Sequence, residues 1–301
     1  MNRTILLTGG GGFVAGNIIS QNRSRDIIEA VEQRAVPILS DNLTWHILDL
    51  QDSAQLRRLF HRVKPDVIIH TAAISDIDYC EAHQEIAESV NVGVTRTLVD
   101  LCVESNVRLI YFSSDSIFNG QKGRYVEEDI PEPLHFYGRT KVAGEKIVQQ
   151  GCHDWVVIRP SLITGLPLLD SGNSFLWRLI NELKQGKKAA FPKEEIRSPV
   201  DAVTLSRAVL ELAENDFQGI LHLAGNDTLT RFEIARQIVR KLGYSLDLVV
   251  DKEPQVTTSR APRPRDVSLD NTKARKVLKT PMLDLGEALD LIIENKGDKE
   301  L

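Results

Sequence analysis

Residues 3–16 read RTILLTGGGGFVAG, and the fold turns on this stretch. RTILLT is a short apolar run that stops at glycines, and FVAG opens a segment with helical spacing. A glycine cluster between a strand and a helix is the context in which such a turn cradles a dinucleotide. Gly9, Gly12 and Ala15 have the spacing G-x-x-G-x-x-A. The first glycine permits a tight turn, the second lets the backbone approach a pyrophosphate, and the third position needs a small residue where the helix packs on the strand. Beyond it, the helix start at Phe13 and Val14 offers N–H groups and the positive dipole end to phosphates. The bland alternative is a flexible turn with no ligand.

Working outward, short apolar runs alternate with helical segments. AVPILS (35–40) and WHILDL (45–50) read as the second and third strands, followed by the helix DSAQLRRLFHRV (52–63), capped by Asp52 or Ser53. PDVIIHTAA, VRLIYFSSD and DWVVIRPSLITG (154–165) supply further strands, with SVNVGVTRTLVDLCVESN helical between the first two. Continuous apolar strands alternating with helices imply a doubly wound parallel sheet of the Rossmann type, covered on both faces. Residues 1–165 are read as the dinucleotide-binding domain. Residues 166–301 are read as a smaller α/β substrate lobe, with room for segments that return to the first domain. In that lobe GILHLAGND reads as a strand, and Thr230 with Glu233 fits a capping box at the head of a helix.

Composition narrows the function. A net charge of −5 gives no footprint for nucleic acid. No apolar run reaches the roughly 18 residues that would span a bilayer. Three widely spaced cysteines, Cys80, Cys102 and Cys152, form neither a disulfide framework nor a zinc site and suit a reducing cytoplasm. No metal motif is present.

The cofactor contacts beyond the turn are read from strand ends. Asp49 and Leu50 follow the third strand, where a carboxylate can accept from an adenine amine. Asp41 falls after the stretch read as the second strand, where a carboxylate accepts from a ribose hydroxyl and repels a 2′-phosphate. On that reading NAD is favoured over NADP, with Arg23 and Arg25 as cations nearby.

The chemistry is carried by HFYGRTKVAGEK (135–146) and IYFSSDSIFNG (110–120). Tyr137 and Lys141 lie four apart, on one face of a helix. Reducing a carbonyl with hydride leaves an alkoxide that needs a proton, and a phenol can give it. The lysine is expected to lower the phenol's pKa and to hold the nicotinamide ribose. Ser113 and Ser114 end a strand on the edge where ligands bind, and Ser114 is taken as the hydroxyl that stabilises the developing charge. Asp115 either touches substrate or caps a turn. Arg197, Arg263 and Arg265 either pair with a diphosphate or form salt bridges. His70 reads as a packed histidine, and Asn91 either orders the site or packs.

These residues resemble the extended short-chain dehydrogenase/reductases, most closely the dTDP-4-dehydrorhamnose reductase branch. The resemblance spans TGGGGFVAG, HTAAISDIDYCE (70–81), VNVGVTRTL, SSDSIFNG, FYGRTKVAGE, IRPSLITG and RPRDVSLDNTKARKVL. It implies that Ala72 and Ala73 line the cofactor, that Ser75 stands in the substrate segment, and that Ser114, Tyr137 and Lys141 are catalytic. It also implies reduction of a nucleotide-activated 4-keto sugar with NAD or NADP. Leu162 replaces a tryptophan that helps hold the sugar in that branch, and Ile74 replaces a histidine. Ser116 stands where 4,6-dehydratases carry glutamate, which argues against dehydration. The alternatives are a same-fold epimerase or other carbonyl reductase, and a dinucleotide-binding regulatory subunit resembling the methionine adenosyltransferase β subunit. The expected partner is a nucleotide sugar, with a homodimer left open.

Overall fold

The computed structural model describes residues 2–23, 26–34, 41–169, 174–251 and 260–296. The first six strands are β1 (Thr4–Thr8), β2 (Ile27–Glu32), β3 (Leu43–Ile47), β4 (Val67–His70), β5 (Arg108–Phe112) and β6 (Trp155–Pro160). A seventh strand, Gly219–Leu223, pairs with β6, so the sheet runs Gly219–Leu223, β6, β5, β4, β1, β2, β3, all parallel. The sheet therefore takes one edge from chain beyond residue 165.

Helices cover both faces, as the apolar runs of β1, β4 and β5 require. They are α1 (Phe13–Gln21), α2 (Ser53–Val63), α3 (Ile77–Ala82), α4 (Gln84–Glu88), α5 (Val94–Ser105), α6 (Phe136–Gly151), α7 (Phe175–Lys184), α8 (Ala202–Glu214) and α9 (Arg231–Lys241). On one face Ile5, Leu7 and Ile110 pack with Ile18 of α1 and Leu205 and Val209 of α8. On the other, Leu6, Ile68 and Leu109 pack with Leu59 of α2, Leu98 of α5 and Val148 of α6. A separate cluster joins α7, α9 and the helix Leu285–Glu294 through Leu179, Ile238 and Leu289. Local signals operate as read: Asp52 caps α2 by accepting from Gln55 N–H, and Thr230 and Glu233 form a capping box on α9.

The second strand is displaced from its expected place. It is formed by IIEAVE (27–32), while AVPILS (35–40) lies outside the described residues. Register explains the choice. Ile27 through Val31 pair with Thr4 through Thr8, and Ile28 through Glu32 pair with Leu43 through Ile47. That pairing buries Ile28, Ala30 and Val31. Asp41 therefore precedes β3, at the edge of the sheet opposite the glycine turn, and the acid that ends β2 is Glu32. Arg23 lies exposed just beyond the C-terminus of α1, far from that turn, and Arg25 lies outside the described residues.

Helix α6 lies unusually close to the strand end it serves. A Cβ at Gly138 would stand 2.6 Å from Ser116 O, and one at Gly144 would fall inside the Tyr111 hydroxyl. The glycines at these two positions are packing requirements. Gly144→Ala is expected to destabilise the fold by about 1–3 kcal/mol, through forced displacement of α6. Part of that loss should be recovered in a Tyr111→Phe background, and urea unfolding of the three variants checks it.

Candidate active site

The glycine turn sits where β1 delivers the chain to the ligand edge of the sheet. Gly9 has φ +70°, and a Cβ there would meet Ala72 N and Cα at 2.9 Å. Only glycine allows this turn to lie against the strand-end loop after β4. Gly10 N–H donates to Val31 O at 2.9 Å, and Gly11 N–H donates to the Glu32 carboxylate at 2.9 Å. Gly12 starts α1 with no side-chain cap, and Ala15 is buried beneath it.

Two adjoining clefts open from this turn. The first, about 440 Å³, is lined by Gly9, Gly12, Glu32, Asp49, Leu50 and Ala72. Asp49 accepts from Gln51 N–H at 2.9 Å and from Gln33 Nε2 at 3.2 Å. The second, about 620 Å³, continues past Phe13 and Val14 to Ser114, Asp115, Tyr137 and Lys141. Ala73 lines both clefts, and Ser75, Leu162 and Arg263 line the second.

The loop from His70 to Asp76 is held by buried polar groups. Asn91, in a π-turn at Ser89–Gly93, accepts from Ile74 N–H at 2.8 Å and donates to Ile74 O at 3.0 Å and Thr140 Oγ1 at 3.1 Å. One amide thus ties the Ala72–Ala73 loop to α6. His70 is packed: Nδ1 lies 2.7 Å from Thr8 Oγ1 and Nε2 lies 3.1 Å from Thr95 Oγ1. Thr95 gives its own proton to Asn91 O, so the imidazole donates from Nε2 and accepts at Nδ1. Burial, aided by Lys141, pushes the His70 pKa down to about 3, which keeps the ring neutral.

At the end of β5 the two serines diverge. Ser113 Oγ donates to Glu145 Oε1 at 2.5 Å, inside a buried pair in which Arg159 Nη2 reaches Glu145 Oε2 at 2.7 Å. Ser114 Oγ accepts from Ser116 N–H at 3.1 Å and donates to Asp115 Oδ1 at 3.2 Å. Lys141 Nζ donates to Phe112 O at 2.8 Å and stands 5.8 Å from the centroid of the Tyr137 ring. Burial lowers the Lys141 pKa to about 8, opposed by Cys80 and Glu145. At Tyr137 the direction is opposite to the expected lowering. Burial and then the Asp115 carboxylate push the phenol up, with only Ser114 pulling the other way. Tyr137 is a firmly protonated phenol in this geometry.

The arginines also redistribute. Arg197 is buried, donates to Ile196 O at 2.7 Å and Arg265 O at 3.1 Å, and lines neither cleft. Arg265 is exposed, with Glu194 at 4.0 Å. Arg263 lines the second cleft while its Nη2 donates to Asp78 at 2.8 Å. The reading of residues along the chain missed Arg178 of α7, Arg231 at the start of α9 and Arg260, which join it there. Three separate segments bring these cations together, and no local pattern marks them.

The RmlD substrate binding domain family matches residues 3–297. The chain belongs to this family. A hypothetical dTDP-4-dehydrorhamnose reductase of Sulfolobus tokodaii is 33% identical, with a TM-score of 0.80 over 95% of this chain and 98% of that one. The dTDP-4-dehydrorhamnose reductase of Bacillus anthracis, solved in complex with NADP, is 21% identical with a TM-score of 0.86 over 98% and 100%. Methionine adenosyltransferase 2 subunit beta of Xenopus laevis is 29% identical over 92% of this chain and 83% of its own length. Within the RmlD substrate binding domain family fold, Asn91 is the joint between the strand-end loop and α6. Asn91→Ala leaves Ile74 N–H and C=O without their partner, and should cost about 1–3 kcal/mol in chemical denaturation. Asn91→Asp keeps the acceptor but sets a buried carboxylate oxygen against Ile74 O, and should cost at least as much.

Proposed function

We propose that the chain is an NAD(P)-dependent reductase of a nucleotide-activated 4-keto sugar, similar to dTDP-4-dehydrorhamnose reductase. The observation that carries it is the meeting of Ser114, Tyr137 and Lys141 in a cleft continuous with the glycine turn and walled by four arginines. Five cationic side chains and the carboxylates of Asp76, Asp78 and Asp115 line that cleft among the described residues. The surplus of positive charge suits a nucleoside diphosphate, and the apolar Leu162 and Phe175 suit a sugar without a charged substituent.

The division of labour follows from the side chains. The dinucleotide, when bound along Gly9–Gly12 and Ala72–Ala73, supplies the hydride. Tyr137 keeps its proton until charge develops on the substrate oxygen, then transfers it. Ser114 sits beside the phenol and would turn its one proton from Asp115 Oδ1 to that oxygen, as the second hydrogen-bonding group. Lys141, fixed by Phe112 O, places a cation behind the phenol and offers N–H groups to the nicotinamide ribose. The three buried free cysteines suit a cytoplasmic enzyme, and a homodimer is compatible with the fold.

A second reading, a dinucleotide-binding regulatory subunit, is favoured by the likeness to methionine adenosyltransferase 2 subunit beta. The two readings part in one assay: oxidation of NADH at 340 nm with dTDP-4-keto-6-deoxy-mannose generated in place. Turnover that falls by about 10²- to 10⁴-fold in Tyr137→Phe is expected. The rate should hold below pH 8 and fall above it, as Lys141 loses its proton. Dinucleotide binding without turnover would instead favour the regulatory reading.

Glu32, at the end of β2, takes the place first given to Asp41 as the group that sorts cofactors. Its carboxylate lines the first cleft next to Gly12, where it would accept from a ribose hydroxyl and repel a 2′-phosphate. NADH should be preferred. Glu32→Gln keeps the shape and removes the charge, and should raise the NADPH to NADH ratio of kcat/KM by about tenfold, a change of about 1.4 kcal/mol.

A further inference from the structure

Arg197 resembles a phosphate ligand in sequence, yet its surroundings assign it elsewhere. It belongs to the short strand Ile196–Arg197, which pairs with Leu229–Thr230. Its guanidinium is pinned by backbone: Nη1 donates to Ile196 O and Arg265 O, and Nη2 donates to Pro264 O at 3.4 Å. Two carboxylates flank it: Nη2 lies 3.8 Å from Glu195 Oε2, and Nε, the nitrogen turned toward the loop after β5, lies 3.9 Å from Asp115 Oδ2. The next residue reinforces the same link. Ser198 N–H donates to Ser161 Oγ at 3.1 Å, and Ser161 Oγ donates to Asp115 Oδ2 at 3.2 Å. The 197–198 segment therefore grips one carboxylate twice, once through charge and once through a hydroxyl.

The other oxygen of that carboxylate faces the site. Asp115 Oδ1 accepts from Ser114 Oγ and from Ser116 Oγ, each at 3.2 Å. A carboxylate this buried needs a counter-charge to remain ionised, and an ion pair held by fixed donors also fixes its orientation. Asp115 can swing neither toward solvent nor away from Ser114 while Arg197 and Ser161 hold Oδ2.

We propose that Arg197 is a positioning residue that acts through Asp115 to keep Ser114 beside Tyr137, and that it makes no contact with the substrate's phosphates. The inference rests on the reading of Ser114 and Tyr137 as the carbonyl-reducing pair. It links the Ile196–Arg197 strand to the loop after β5.

The test compares Arg197→Gln, Asp115→Asn and the double variant in the reductase assay, with dTDP and NADH affinities by calorimetry. Arg197→Gln should lower kcat about 10- to 100-fold, while KM and both dissociation constants stay within about twofold. Arg197→Lys, which keeps a buried cation, should restore part of kcat. Adding Arg197→Gln to Asp115→Asn should cost nothing further, because the group acted upon is already neutral. Weakened dTDP binding with kcat intact, or losses that multiply in the double variant, would overturn the proposal. Should Arg197→Gln fail to fold, the double variant replaces the ion pair by neutral groups and is compared with Asp115→Asn alone, where any further loss of kcat overturns it. Should the wild type reduce no 4-keto sugar, the reductase reading fails on its own. Carbon-13 titration of the Asp115 carboxyl then decides. Burial raises the Asp115 carboxyl, while Arg197 and the hydroxyls of Ser114, Ser161 and Ser116 pull it down, with the Tyr137 phenol across the site. Removing Arg197 should move the Asp115 midpoint up by about one pH unit. An unmoved midpoint overturns the proposal.

Discussion

The close approach of α6 to the end of β5 is the constraint from which the site follows. With Gly138 against Ser116 O and Gly144 against Tyr111, the helix lies within reach of the strand's last residues. Lys141 can then donate a hydrogen bond to Phe112 O, Glu145 can accept from Ser113, and Tyr137 can stand beside Ser114. All three side chains lie on one helical face at intervals of four residues. Had either glycine carried a side chain, the helix would stand off, and the three contacts would lengthen together. On the proposed function the tyrosine and lysine carry the chemistry, while the glycines set the distance at which it can happen.

Around this joint the interior is polar and almost fully paired. Arg159 and Glu145 are each 2% exposed and meet through two hydrogen bonds, and Arg159 Nη1 also donates to Glu127 O. An ion pair this deep adds little net stability against an apolar pair of the same size, but losing one partner leaves a buried charge. Its place explains its use. It anchors Ser113, so the backbone at the end of β5 has one rotational setting, and that setting sends Ser114 to the opposite side. Asn91 performs the matching task on the loop after β4 with neutral groups.

The parts of this arrangement legible in the sequence are those written in short-range patterns. The glycine turn, the Tyr137 and Lys141 spacing, the cap at Asp52 and the box at Thr230 and Glu233 each need only a few adjacent residues. A parallel sheet with two covered faces follows from apolar runs alternating with helices, while its seventh strand, Gly219–Leu223, was read into the second lobe. Strand β2 escaped because Glu29 and Glu32 break its apolar run, and its place is decided by pairing with β1 and β3. The error carried over to Asp41, which precedes β3, whereas the acid that ends β2 is Glu32. The arginine wall was invisible for a different reason: α7, the start of α9 and the segment at Arg260 converge only in three dimensions. For Arg197 the two alternatives stayed open because an arginine's sequence context does not say which way its guanidinium points.

The electrostatics of the pair departs from the simplest picture of a lysine that acidifies its tyrosine. Burial disfavours charge on both groups, so it raises the phenol and lowers the ammonium from one cause. The ammonium is kept from falling further by Glu145 and Cys80, and it stands 5.2 Å from the Tyr111 ring centroid and 5.8 Å from that of Tyr137. The phenol has only the Ser114 hydroxyl on that side, and Asp115 adds to its reluctance to ionise. A reduction needs this order. A phenol that ionised early would meet the substrate carbonyl without a proton to give. One that stays neutral until an alkoxide forms beside it interacts more strongly with the transition state than with the ground state, which is the condition for raising the rate and not only the affinity.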